Sequence, residues 1–325
     1  MISVSGTARA VEVEAWTPTA TTLRAAAAGI AVPQTVAGLS LSKSGEASNG
    51  GKGIDNYAQY LSEDGAIQAT LYIYMPSYAD ASIAAYMTDR AIMERFGSKT
   101  RRSAYATATV SGRPGTAIRA VYDEAADGAL TTAAAFVHAG RWLVKLRVTG
   151  PSSRRKAVLA GLDGMLHAMT FDDAATVHPV APARLSNCAA TADVDARLIA
   201  PTSTAPTENG LPRDGRDALC IRGKIDTAQG RYDMLQQVNV AGGAMIVPMD
   251  DAGAVLAFNP SSTMPGYQLS IHSVGQTDLY GVYDKVPSPR QIAAIIDGKD
   301  PQTARAARVA DYAANGDMTV RTSAR

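Results

Sequence analysis

Apolar and polar residues alternate most regularly at 67–75, where Ile67, Ala69, Leu71, Ile73 and Met75 interleave with Gln68, Thr70, Tyr72 and Tyr74. A period of two marks a strand with one face in a core. A partner strand at 54–61 leads into Asp64-Gly65, a dipeptide that accepts the positive φ of a tight hairpin. After Pro76 the period lengthens to that of a helix. Ser77 is its expected N-cap, Asp80 lies in its first turn, and Ile83, Tyr86, Met87, Ile92, Met93 and Phe96 are apolar before Gly97. Asp89 and Arg90 interrupt that stripe, so the helix is legible and its buried face is not. Strands follow at 104–110 and 116–122 around Ser111-Gly112-Arg113-Pro114-Gly115, then at 130–137 and 142–148 around His138-Ala139-Gly140-Arg141. In the last strand Trp142, Val144, Leu146 and Val148 share one face, Lys145 and Arg147 the other. A helix at 152–169 closes the unit, with Val158, Leu162, Met165, Leu166 and Met169 at helical spacing.

The rest of the chain is more broken. Pro179 and Pro182 among small residues give 173–186 the composition of a linker. Beyond it, strands are expected at 218–225, 244–249, 255–258 and 267–273, most of them separated by Gly, Pro, Asn or Asp. Ser288-Pro289-Arg290-Gln291 is a capping box with proline at the first helical position, followed by apolar Ile292, Ile295 and Ile296 and ended by Gly298. Asp300-Pro301 reads as the start of another helix and Asn315-Gly316 as its end, with 319–325 frayed. The expected division is an N-terminal extension at 1–37, a first domain at 38–172, the linker at 173–186 and a C-terminal domain at 187–325. The expected fold class is α+β, an antiparallel β-sheet with packed helices followed by a second, smaller α+β domain. The order of elements across 38–171 resembles the PsbP-like α/β/α sandwich. That resemblance covers under half of the chain and rests on element order alone. It implies a non-catalytic accessory or binding subunit and transfers no functional residue.

Composition bears on partners and compartment. At 325 residues the chain can bury two cores of ordinary size, and 46% apolar with 19% charged residues is globular composition. Its 31 Lys and Arg are interspersed with 30 Asp and Glu, so no cationic field gathers phosphates, and nucleic acid is not an expected partner. No apolar run nears the roughly 20 residues that cross a bilayer, so no transmembrane span is expected. Ala8-Arg9-Ala10, ahead of the polar Val11-Glu12-Val13-Glu14, has the small-x-small form of a signal-peptidase site and is expected to be a signal-peptide remnant. The two cysteines, Cys188 and Cys220, share a segment crowded with Pro, Thr, Asn and Gly. A disulfide between them would stabilise the fold by roughly 3–4 kcal/mol; two separate buried thiols are the alternative. Together these features point to a periplasmic or secreted protein.

Local motifs for chemistry are sparse. The Gly-rich stretch from Gly45 to Gly53 has one residue too many before its Gly51-Lys52 pair for a phosphate loop, and Gly53 stands where a hydroxyl is needed. Ser40 with Lys43 and Ser153 with Lys156 satisfy S-x-x-K; three-residue spacing on a strand puts the first pair on opposite faces. His138 falls in a hairpin turn, His178 in the linker and His167 off its helix's apolar stripe, the settings of solvated residues. His272, beside Ser273 and in the same unit as Asp250-Asp251, is the histidine best placed to be a general base. Asp172-Asp173 and Asp250-Asp251 otherwise read as a solvated helix end and a turn. Tyr57, Tyr60, Tyr72, Tyr74, Tyr78 and Tyr86 cluster in the first unit, and amphipathic rings on one sheet face can pack under a helix or bind a partner. The expectation is an exported, non-catalytic binding or accessory module for an unknown protein or small ligand, without metal or cofactor. The alternative is a periplasmic hydrolase whose site in the C-terminal domain combines His272, Ser273 and an aspartate.

Overall fold

In a computed structural model, residues 15–48, 51–189, 194–201, 219–238 and 242–322 are described. The expected signal-peptide remnant at Ala8-Arg9-Ala10 lies outside them. The chain begins with β1 (Trp16–Pro18), β2 (Thr22–Ala25), β3 (Ile30–Pro33), β4 (Thr35–Val36), β5 (Leu39–Glu46), β6 (Asp55–Ser62) and β7 (Gln68–Tyr74). Helix α1 (Ala81–Phe96) precedes β8 (Arg101–Val110), β9 (Arg113–Ala125), β10 (Leu130–Ala139) and β11 (Trp142–Pro151), and α2 (Arg155–Ala168) precedes β12 (Thr170–Phe171). There follow β13 (Ser186–Asn187), β14 (Leu198–Ala200), β15 (Leu219–Thr227), β16 (Gly230–Gln237), β17 (Met245–Pro248), β18 (Val255–Pro260), β19 (Tyr267–Ser273) and β20 (Gln276–Tyr283). Helix α3 (Pro289–Ile296), β21 (Arg308–Tyr312) and β22 (Met318–Thr322) complete the described chain.

The α+β expectation is corrected by this structure. Strands hold 50% of it and helices 17%, and the strands form sheets of four, eight and ten members. The eight-stranded sheet runs β4-β5-β6-β7-β11-β10-β9-β8, and the ten-stranded sheet is the larger one, against the expectation of a smaller second unit. The molecule is a sandwich of sheets. The four-stranded sheet and α2 cover one face of the eight-stranded sheet, where Leu23, Ile30 and Val32 meet Val148, Leu162 and Met165 in one core. Residues 16–33, read as an extension, are thus strands of that core. The ten-stranded sheet buries Ile225, Met234, Leu256, Phe258 and Leu269 under Ile292 and Ile295 of α3.

Helix α1 lies between the two large sheets. Its Ala81, Ala84 and Ala85 pack on Ile118, Ala134, Phe136 and Leu143 of the eight-stranded sheet. Its Ile83 and Met87 pack on Leu235, Ile246, Val255 and Ala257 of the ten-stranded sheet. A helix buried on two sides needs no single apolar stripe, which is why its sequence shows an interrupted one. The N-cap is Asp80, whose carboxylate accepts from the backbone N–H groups of Ser82 and Ile83. Ser77, the expected cap, is engaged elsewhere. Asn315-Gly316 closes the β21–β22 hairpin and does not end a helix, and Pro301–Thr303 makes only a short 3-10 turn. Asn-Gly serves both purposes because each needs positive φ. The linker residues Val180 and Leu185 are packed into the cores around α1.

Candidate functional site

Polar groups concentrate where the first unit meets the ten-stranded sheet. The β19–β20 turn hydrogen-bonds to the end of β7 through Ser77 N–H to Ser273 O and Gly275 N–H to Met75 O, both 2.9 Å. Against it sits His272. The Ser77 hydroxyl donates to Gln276 O at 2.7 Å, so it accepts from His272 Nδ1–H at 3.1 Å. His272 Nε2 is then the acceptor for the Ser270 hydroxyl at 2.9 Å, and Tyr78 packs edge-on against the ring. Burial pushes the imidazole pKa down to about 4, so the ring is neutral near pH 7.

This constellation differs from the expected one. Ser273 Oγ faces Gln276 O instead of the imidazole, and no described carboxylate hydrogen-bonds to His272. Ser270 does have the donor geometry of a nucleophile, but it is 3% exposed and shares a strand with its histidine. A carbonyl carbon has no approach to it. Strand alternation already puts residues 270 and 272 on one face; the contribution of Ser77, 195 residues away, has no local signal.

Asp250 and Asp251 serve separate purposes. Asp250 accepts from the N–H groups of Ala252 and Ala254 and shapes the β17–β18 turn. Asp251 accepts from Lys145 Nζ on β11 and from the Thr88 hydroxyl on α1. Burial pushes the Lys145 ammonium below its ordinary pKa, against the pull of Asp251. Asp233 on β16 receives Tyr86 and Arg90 from α1. These contacts tie the two units together.

The remaining histidines and acids divide by burial. His138 is buried on β10 and not in a solvated turn; its Nε2 lies 2.9 Å from Gly140 O. Its ring centroid is 4.8 Å from that of His178, which is half-buried because 176–178 pair with 138–140. His167 is exposed. Asp172 pairs with Arg24, and Asp173 caps a short 3-10 turn. Ser153 and Lys156 are both exposed, while Ser40 and Lys43 lie on one face of β5, since a bulge between Leu41 and Lys43 reverses the alternation. Cys188 and Cys220 form a disulfide beside the β13–β15 pairing.

Helix α1 packs on its face of the eight-stranded sheet over β9 and β10. Toward the β4 edge, register aligns Gly45, Tyr57, Tyr72 and Lys145 in one row and Lys43, Gln59, Thr70 and Arg147 in the next, with Lys145 and Thr70 buried and the others half-buried or exposed. Tyr60 is buried on the opposite face and Tyr74 between the units, leaving Tyr57 and Tyr72 half-buried on this open surface. The phenol end of Tyr57 lies across Gly45, where a Cβ would stand 2.6 Å from the hydroxyl oxygen. Only glycine lets that ring lie down on the sheet.

Compared with known protein families and with curated proteins, the chain matches none.

Arg147 is distinctive within its sheet. Arg101, Arg102 and Arg119 are paired with Glu124, Asp89 and Asp163, and Arg113 donates to Ala174 O. Arg147 has neither an ion pair nor a hydrogen bond among the described residues, and Gln59, Thr70 and the hydroxyls of Tyr57 and Tyr72 have no described hydrogen bond either. Beside them Ser40, Leu41, Ser42, Leu61, Ser62 and Glu63 line an open depression of about 510 Å³. Sequence alternation placed Tyr72 and Arg147 on polar strand faces. That the two strands are neighbours came only from the tertiary structure.

Proposed function

We propose that the protein is a non-catalytic, exported binding or accessory module whose ligand surface is this face of the eight-stranded sheet, toward the β4 edge. The observation that carries this reading is the set of Tyr57, Tyr72, Gln59 and Arg147 side chains, half-buried on one face and without a hydrogen bond or ion pair among the described residues, Tyr72 having Lys145 Nζ 5.8 Å from its ring centroid. Amphipathic rings and an uncommitted guanidinium are the groups that proteins use to hold ligands. The disulfide suits an oxidising compartment. No helix among the described residues is long and apolar enough to cross a membrane.

The hydrolase alternative has weaker support, because His272 lacks a carboxylate partner among the described residues and the serine donating to it is enclosed. Two measurements separate the readings. Native mass spectrometry of oxidised protein taken from the envelope fraction is expected to reveal a bound ligand that Tyr72→Leu loses. Turnover of short-chain p-nitrophenyl esters that disappears in His272→Ala would replace this reading with the hydrolase.

A further inference from the structure

The open sheet face also constrains its ligand. Tyr57 lies flat over Gly45, and Tyr72 is its cross-strand partner. Tyr72 packs partly on the core beneath α1 and has Lys145 Nζ 5.8 Å from its ring centroid, and the half-exposed remainder of the two rings forms a platform whose π faces attract the weakly positive C–H groups of a saturated ring. Arg147 is the diagonal neighbour of Tyr72, since its direct partner on β7 is Thr70. Diagonal neighbours stand about 7–8 Å apart, so a ring seated on Tyr72 brings a substituent to the guanidinium. The planar guanidinium fork matches a carboxylate with two parallel hydrogen bonds.

Gln59, in the same row as Arg147, adds a half-exposed amide without a described partner, while Thr70 between them is buried. That amide suits the hydroxyls of a sugar. The serine-lined depression extends the surface toward the sheet edge and is open, which fits an elongated ligand better than an enclosed small one. One uncommitted arginine matches one carboxylate at a time.

Building on the binding reading above, we propose that this face binds an acidic oligosaccharide, with a uronate ring stacked on Tyr72 and Tyr57 and its carboxylate held by Arg147. The test is titration calorimetry of the oxidised full chain with hexagalacturonate and a hexameric alginate fragment. Neutral maltohexaose and hexaglutamate serve as comparison ligands. At least one uronate is expected to bind, at least tenfold more tightly than maltohexaose. Arg147→Gln is expected to weaken that binding tenfold or more with an unchanged thermal midpoint, and Tyr72→Leu to weaken it tenfold or more in protein that remains folded by circular dichroism.

Equal affinity for maltohexaose, full affinity in Arg147→Gln, or failure of both uronates to bind overturns the assignment. If hexaglutamate binds at Arg147 and the uronates do not, the ligand class is wrong while the binding surface stands. If no probe binds and the native mass spectrum is also empty, both readings fall together.

Discussion

His272 and Gly275 show how single residues fasten one unit to the other. The folded-state pKa of His272 is pushed below the ordinary value of 6.5 to about 4 by burial. The folded state therefore favours the neutral ring. The stability this contributes is complete above about pH 6.5 and is lost as the pH falls through about 4, because the unfolded chain takes up the proton first. His272→Gln is expected to remove about 3 kcal/mol of acid destabilisation across that window, read as the difference between the two thermal-midpoint profiles. Gly275 has φ +68°, and a Cβ there would lie 2.1 Å from Ile54 Cδ1. Gly275→Ala combines backbone strain with overpacking and is expected to cost about 2–4 kcal/mol in a urea melt. A cost under about 0.5 kcal/mol would mean that the turn does not seat against β7.

At the scale of elements, α1 and β11 carry the polar ties. Lys145 and Asp251 are paired but unequally covered, with side-chain exposures of 10% and 33%. Removing a partner from a buried charge costs more than removing one from a charge that water can reach. Asp251→Ala is expected to cost about 3 kcal/mol, and Lys145→Met under about 1 kcal/mol; equal costs would show that both charges are equally desolvated. The sequence made most of these elements legible, since strands at 54–61, 67–75 and 267–273 correspond to β6, β7 and β19. It was least informative at β16, β20 and the β21–β22 hairpin. There Gln236, Gln237 and Asp278 blunt the alternation, and β22 is exposed along its length, so no buried face writes itself into the pattern.

For the whole molecule, the sheets share α1 and a set of polar contacts, so heating is expected to give one cooperative transition. The Cys188–Cys220 disulfide closes a separation of 32 residues. In the chain-entropy picture it restrains the unfolded state by roughly 3–4 kcal/mol. Cys188→Ser with Cys220→Ser is expected to lower the urea midpoint accordingly while leaving uronate binding unchanged, because the open face belongs to the other sheet. Loss of binding in that double variant, with the fold intact, would place the ligand surface in the second unit.

The sequence alone determined the strand periods of the first unit and the α3 capping box, because each depends on residues close along the chain; it left Cys188 and Cys220 open between a disulfide and two separate thiols, which the structure resolved as a disulfide. It also put Tyr72 and Arg147 on polar strand faces. Only the tertiary structure decided that sheets dominate, that α1 is buried on both sides, and that Lys145 meets Asp251 across 106 residues. The same holds for His272, whose imidazole rests on a serine from the other unit and not on an aspartate. Such pairings arise when faces with no local relation are pressed together to exclude water, and the local pattern records that a face is apolar or polar without recording what it will meet.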